Sequence, residues 1–282
     1  MKTVETLEEL GAAREALKAP VGFVPTMGFL HAGHISLVEL AKRQCAAVAA
    51  SIFVNPTQFG PSEDLEAYPR DLPGDLKKLE EAGVELVWLP TAEIMYPPGF
   101  QTWVEVEEIT RVLEGAQRPG HFRGVSTVVA KLFNAVQPQR AYFGQKDAQQ
   151  VAVIKQMVRD LNFPVEIVVG ATLREDDGLA MSSRNSYLDA EQRQAATVLF
   201  RALGAARKAY VDGERDARRL RTIMETTIEA EPLARMQYVS CAHSQSLQEL
   251  DEVGEAGALL SMAVYVGKTR LIDNVVLVTS KK

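Results

Sequence analysis

Apolar residues along the first part of the chain fall in short continuous runs separated by stretches of helical period. Val21 to Pro25, Ala47 to Val54, Val84 to Leu89, Arg140 to Phe143 and Val165 to Val169 read as strands. Between them, Ile35 to Gln44, Asp75 to Ala82, Thr127 to Val136 and Asp147 to Arg159 carry apolar residues at helical spacing. Near-continuous apolar strands alternating with helices predict an α/β fold whose parallel sheet is covered on both faces. After Gly178 the pattern changes. Two long charged amphipathic helices, about Asp189 to Val211 and Asp216 to Ala230, precede strand-like runs at Met236 to Ala242, Leu259 to Val266 and Leu271 to Val278. These predict a smaller C-terminal α+β domain. The boundary falls near Thr172, dividing the chain into 1–172 and 173–282. Met1 to Glu5 runs straight into a charged helix pattern with no signal segment.

The polar motifs sit at the carboxyl ends of the predicted strands, where an open parallel sheet binds its ligand. Pro25-Thr26-Met27-Gly28-Phe29-Leu30-His31-Ala32-Gly33-His34 joins the first apolar strand to a helix. Such a turn presents unpaired backbone N–H groups and the positive end of the helix dipole. Two of the four histidines stand there, three residues apart, as donors able to follow a phosphate. Asn55-Pro56-Thr57-Gln58-Phe59, Gly144-Gln145-Lys146-Asp147, and the segment from Thr172 through Met181-Ser182-Ser183-Arg184-Asn185 occupy other strand ends. No Walker pattern and no G-x-G-x-x-G occurs, so the usual phosphate cradles are absent. The phosphates of a nucleotide then fall to the histidines, Lys146, the serines and Arg184.

Composition narrows the class. The chain has 282 residues, 46% of them hydrophobic, which is the make-up of a globular enzyme. A net charge of −6 argues against a general nucleic-acid binder. The apolar stretch Ala46 to Val54 is far too short to span a membrane. Cys45 and Cys241 lie far apart, each in or beside an apolar run, and read as buried free thiols of a cytoplasmic protein.

Six motifs in order carry a specific resemblance: Pro-Thr-Met-Gly-x-Leu-His-x-Gly-His, Phe-Val-Asn-Pro-x-Gln-Phe, Tyr-Pro-Arg, His-Phe-Arg-Gly-Val, Phe-Gly-x-Lys-Asp and Asp-Gly-Leu-Ala-x-Ser-Ser-Arg-Asn. Together, from about Val21 to Asn185, they resemble the pantothenate synthetase (pantoate–β-alanine ligase) family. The His-x-Gly-His element is similar to that of the wider nucleotidyltransferase and class I aminoacyl-tRNA synthetase group. The resemblance implies a Rossmann-like parallel sheet of the HxGH nucleotidyltransferase type, with the C-terminal domain as a lid. It also implies ATP as substrate, Mg²⁺, a homodimer, and two half-reactions. Pantoate and ATP give pantoyl adenylate and pyrophosphate. The amine of β-alanine then displaces AMP.

By the same resemblance ATP lies against Met27, Gly28, His31, His34, Gly144, Lys146, Asp147, Leu173, Met181, Ser182, Ser183 and Arg184. Of these, His34, His31, Lys146 and Arg184 are the catalytic candidates. His34 is expected on the α-phosphate with His31 beside it, while Lys146 and the fork of Arg184 suit the triphosphate and departing pyrophosphate. The acyl substrates are assigned to Pro25, Met27, Asn55, Gln58, Phe59, Arg123 and Gln150. Some positions have two readings. Arg123 meets phosphate or carboxylate, or anchors a loop through an ion pair. Asp75 and Asp147 contact magnesium, or are favoured as helix N-terminal residues. Gln145 stands where many relatives would carry glutamate. Two rivals are another nucleotidyltransferase that keeps the nucleotide on its product, and a non-catalytic nucleotide- or tRNA-binding module. The first half-reaction is expected to show a shallow pH dependence set by the histidines.

Overall fold

The computed structural model describes residues 1–61 and 63–278. The chain runs β1 (Lys2–Val4), α1 (Leu7–Glu15), β2 (Val21–Thr26), α2 (Ala32–Gln44), β3 (Ala47–Ile52), α3 (Leu72–Glu81), β4 (Leu86–Trp88), α4 (Ala92–Met95), α5 (Leu113–Gln117), α6 (His121–Val136), β5 (Arg140–Gly144), α7 (Ala148–Asp160) and β6 (Glu166–Gly170). It continues with α8 (Ala190–Ala195), α9 (Val198–Val211), α10 (Ala217–Glu229), β7 (Ala234–Ala242), β8 (Ala258–Val266) and β9 (Thr269–Leu277).

Six strands form one parallel sheet in the order β1-β4-β3-β2-β5-β6. Side chains alternate across it with the period of two that a strand imposes. Val21, Phe23, Ala47 and Ala49 point to a core shared with Leu10, Phe133 and Ile154, from α1, α6 and α7. Val24, Val48 and Ala50 point the other way, to Val38 and Ala41 of α2 and Leu79 of α3. From β2 the chain winds outward through β3 and β4, then returns to β5 on the other side. That reversal opens a crevice between the carboxyl ends of β2 and β5, where ligands of such sheets bind.

A separate antiparallel sheet, β7-β8-β9, packs its apolar face on α9 and α10. Its third strand meets α5 and the turn after β5 through charged and polar groups. The Arg270 guanidinium donates two hydrogen bonds of 2.7 Å to Glu114 of α5, which also accepts from Tyr238 at 2.8 Å.

Three expected elements come out differently. Residues 2–4 form β1, paired in register with Leu86 to Trp88, and Thr6 with Glu9 makes the capping box that starts α1. The helix expected over Asp189 to Val211 is broken into α8 and α9, where the Thr197 hydroxyl donates to the Gln194 carbonyl at 2.7 Å. That side-chain bond competes with the helical ladder. The helix expected from Thr127 begins a turn and a half earlier, at His121, after Gly120 with φ +83°. Both cysteines are free, as expected; Cys241 is buried, while Cys45 is only half-buried beside the Tyr142 hydroxyl.

Candidate active site

The β2–α2 turn builds the phosphate-facing wall. Helix α2 starts at Ala32, so His31 is its N-cap and His34 its third residue. The Gly33 N–H donates to Nδ1 of His31 at 3.1 Å, and the His31 N–H donates to Nδ1 of His34 at 3.2 Å. A backbone N–H can only donate, so both Nδ1 atoms are acceptors and each neutral ring carries its proton on Nε2. The folded-back His31 ring also explains Gly33. A Cβ there would lie 2.8 Å from His31 Cε1.

Asp75 stands behind this turn. It is 1% exposed, and its two oxygens accept from the N–H groups of Phe29 (2.6 Å) and Leu30 (2.7 Å). Lys78 of the same helix donates to the Leu30 carbonyl at 2.8 Å. Phe29 has φ +50°, so these bonds hold a backbone conformation that a phenylalanine rarely adopts. Asp75 does not line the cavity; it lies in the first turn of α3 and its carboxylate is engaged on the β2–α2 turn, a role that neither of its two readings named. Gly28 also lies off the cavity wall, against Asp75 and Ile52.

A cavity of about 240 Å³ gathers the other motifs. Pro25, Met27, His31, His34, Asn55, Gln58, Phe59, Gly144, Lys146, Asp147, Gln150, Leu173, Met181, Ser182, Ser183 and Arg184 all line it. It continues into a cleft of about 530 Å³ under β9, sharing Lys146, Asp147, Ser182 and Arg184. Arg123 is not among these residues. It is exposed on α6 with its guanidinium 4.6 Å above the Trp103 ring, and among the described residues no ion pair anchors it.

One end of the cavity is polar and cationic. Lys146 has Asp147 as its ion partner, at 3.8 Å. Ser182 caps its own turn by accepting from the Arg184 N–H, and Ser183 donates to the Phe29 carbonyl at 3.2 Å, tying the arm to the β2–α2 turn. Arg184 grips Asp64 with two bonds of 3.0 and 2.9 Å, below the Tyr68 ring. Asp64 escaped the sequence reading because nothing local marks it; its partner is 120 residues away.

The other end is built around Gln58. The Asn55 carboxamide is fully engaged: it donates to Gln58 Oε1 (3.1 Å) and the Gly124 carbonyl (3.2 Å), and accepts from Thr57 and Tyr96 hydroxyls. Asn55 thus holds Gln58 rather than reaching into the space. Gln58 Nε2 lies 3.0 Å from the Met27 sulfur. His121 donates from Nδ1 to the Gln58 carbonyl at 2.7 Å and accepts at Nε2 from Arg118, itself paired with Glu63. In the His-Phe-Arg-Gly-Val motif, His121 and the Gly124 carbonyl are the groups bonded to the Gln58 turn and to Asn55. A Cβ on Gly124 would sit 2.4 Å from the Thr57 carbonyl oxygen. Farther along the same helix (α6) Val125, Val128, Val129 and Leu132 give an apolar wall, and Gln150 from the first turn of α7 also lines the cavity.

The family model for pantoate–β-alanine ligase matches residues 1–276. The chain belongs to the pantoate–β-alanine ligase family. A pantothenate synthetase of Herpetosiphon aurantiacus is 62% identical over 98% of this chain and all of its own length. One from Chloroflexus aurantiacus is also 62% identical, over 97% of each chain. The crystal structure of the Thermus thermophilus pantothenate synthetase superposes with a TM-score of 0.94 at 51% identity, covering 99% of this chain and 100% of that one. A Francisella tularensis ligase, solved with a β,γ-ATP compound and β-alanine, gives 0.80 at 35% identity over 98% of this chain and 97% of its own. Among the described residues, no helix of this ligase is long and apolar enough to cross a membrane.

The ligase's histidines depart from the pH behaviour expected of the sequence. Burial, reinforced by the Lys146 cation, pushes His31 down to about 4. Burial, with His31 and Lys146 adding to it, pushes His34 to about 3. Burial and the Arg118 cation hold His121 at about 4. All three are neutral at pH 7. Their folded-state values lie below the unfolded value near 6.5, so the unfolded chain binds more protons between about pH 6.5 and 4. The stability they contribute is complete above pH 6.5 and lost as pH falls through that window. An NMR titration of the free ligase is expected to find His31 and His34 as neutral Nε2–H tautomers down to about pH 5. Imidazolium signals with midpoints near 6.5 would refute the assignment.

Proposed function

We propose that this ligase joins pantoate to β-alanine through a pantoyl adenylate, releasing pyrophosphate and then AMP. One observation supports this most strongly: a single cavity has hydrogen-bond donors and cations at one end and a Gln58–Gln150 pair with an apolar wall at the other. Triphosphate suits the first end. Pantoate, with a carboxylate, two hydroxyls and geminal methyls, suits the second.

In the first half-reaction a carboxylate oxygen of pantoate attacks the α-phosphorus, and the bond to the β-phosphate bridge breaks, pyrophosphate leaving with the electron pair. Negative charge grows on the α-phosphoryl oxygens. Nε2–H of His34 and of His31 are preorganised donors for it, and neutral rings need no proton to be gained first. The α2 dipole adds positive potential at the same place. Lys146 serves the triphosphate as a point charge. Arg184 serves pyrophosphate once it exchanges its Asp64 carboxylate for phosphate oxygens. Gln58 and Gln150, whose amides both donate and accept, orient pantoate so that its carboxylate faces the nucleotide. In the second half-reaction the neutral amine of β-alanine attacks the acyl carbon, the carbon–oxygen bond to AMP breaks, and the ammonium proton is lost to solvent.

For magnesium, the donor set fits a cation delivered with the triphosphate. Asp147 is a partly exposed carboxylate at the cationic end, and among the described residues no group of three His, Cys, Asp or Glu side chains could form a complete cage. Mg²⁺ keeps most of its waters and takes few carboxylates. When bound with ATP it would neutralise phosphate charge beside Asp147.

The residues from 173 onward act as a lid, and the protein works in the cytoplasm, a setting that suits its two free thiols. The ligase acts as a homodimer. In the apolar segment Thr102 to Val112, Val104 and Val106 pack against the core and Trp103 is exposed, and among the described residues the segment pairs with no strand. Such a segment suits a self-complementary two-fold contact. Sedimentation at micromolar protein is expected to give twice the chain mass; a fully active monomer would refute this.

The overall reading is tested by AMP release. AMP should appear in amounts matching pantothenate only when ATP, pantoate and β-alanine are all present. A product that retained the nucleotide, or no turnover at all, would favour one of the two rival classes.

A further inference from the structure

Lys146 and Arg184 reach the cavity from two segments distant in sequence, yet both segments are fastened to one dipeptide in the middle of β9. Asn274, 4% exposed, donates from Nδ2 to the carbonyls of Gln145 (3.0 Å) and Lys146 (2.8 Å), and its Oδ1 accepts from Nε2 of Gln145 (3.1 Å). Every hydrogen-bonding position of its carboxamide that faces this loop is used. Asp273, 2% exposed, takes the Arg174 guanidinium on both oxygens at 2.6 and 3.0 Å and also accepts the Asn274 N–H. Arg174 donates in turn to the Gly178 carbonyl, and Leu173 is paired with Met181. The short hairpin 173–181 is thereby clamped from its base to its turn, and the Ser182 to Arg184 arm issues directly from it. Neighbouring residues of a strand face opposite sides, so two adjacent side chains reach two separate segments.

We propose that Asp273 and Asn274 are positioning residues that fix the separation of the two phosphate-facing arms, Asn274 acting through Lys146 and Asp273 through Arg184. The proposal rests on the reading of Lys146 and Arg184 as phosphate ligands. It assigns the C-terminal sheet a part in adenylate formation, although none of its side chains need touch substrate. Gln145 belongs to the same device. With an amide it donates to Asn274, where a carboxylate at that position would set oxygen against oxygen.

The test is a pair of double-mutant cycles on pantoate-dependent exchange of pyrophosphate into ATP: Asn274→Ala with Lys146→Ala, and Asp273→Asn with Arg184→Ala. Misplacing a reacting group by about 1 Å costs on the order of 10²-fold, so each positioning variant alone should lose about that much in kcat while KM for pantoate stays constant. In the background lacking its target, the same change should cost under about twofold, the scatter of independent sites. Full multiplicative losses in both cycles would overturn the proposal, as would wild-type kcat in both single variants. So would collapse of folding in both, since the pair would then be structural. If one variant fails to fold, the other cycle decides. Near-normal exchange in Lys146→Ala and Arg184→Ala themselves would instead refute the underlying reading of the phosphate site.

Discussion

Lys146→Ala and His34→Ala are each expected to slow adenylate formation by about 10²–10³-fold, the effect of removing one preorganised donor from a site of developing negative charge. Both residues point into the cavity, and neither carries the fold. Among the described residues the Lys146 side chain has a single ion pair, with its neighbour Asp147. His34 contributes one cap bond to the His31 N–H, a loss of about 1 kcal/mol when deleted. The rate should therefore fall far more than the stability. Because His34 acts as a neutral donor, His34→Gln, which keeps an N–H, should recover part of the loss, whereas an imidazolium role would leave it as impaired as alanine. Single-turnover formation of the adenylate, with melting temperature measured alongside, checks both points. Near-normal single turnover in either alanine variant would remove that residue from the mechanism.

Asp75→Asn is expected to be almost as severe, for a different reason. The carboxylate accepts two short backbone bonds that hold Phe29 at positive φ and set the approach of His31 and His34. An amide can accept at one of these positions only, and its NH₂ group would face the N–H of the other. A buried unpaired donor costs about 1–3 kcal/mol. The turn then shifts, and with it the histidines, so activity should fall by about 10²-fold. The magnesium concentration giving half-maximal activity should stay where it is in the unaltered ligase. A magnesium requirement raised many-fold, with melting temperature unchanged, would make Asp75 a metal ligand and contradict its placement.

How far the sequence carried can be judged at particular residues. The β2–α2 turn was legible because its signals are local: an apolar run, a glycine turn, and two histidines at the start of a helix. The parallel sheet and the three C-terminal strands followed from periodicity for the same reason. Strand β1 was hidden, since three residues with one buried side chain carry no period, and only pairing with β4 makes them a strand. The break between α8 and α9 falls at Thr197, whose hydroxyl bonds the Gln194 carbonyl, a contact that an apolar pattern does not register. In the site, residue types with obvious chemistry were found and those acting by shape or at long range were not. Gly124 went unremarked, although its missing side chain lets α6 press on the Gln58 turn. Asp64, Arg118 and Asn274 meet their partners across 55 to 129 residues of sequence, where no local motif reaches.

The central claim is that pantoate is activated on phosphate before β-alanine takes part. Exchange of labelled pyrophosphate into ATP, measured with pantoate present and β-alanine absent, tests it most directly. Exchange should proceed under those conditions and cease when pantoate is withheld. Exchange that appeared only after β-alanine was added would contradict a free-standing pantoyl adenylate and require a concerted ligation instead.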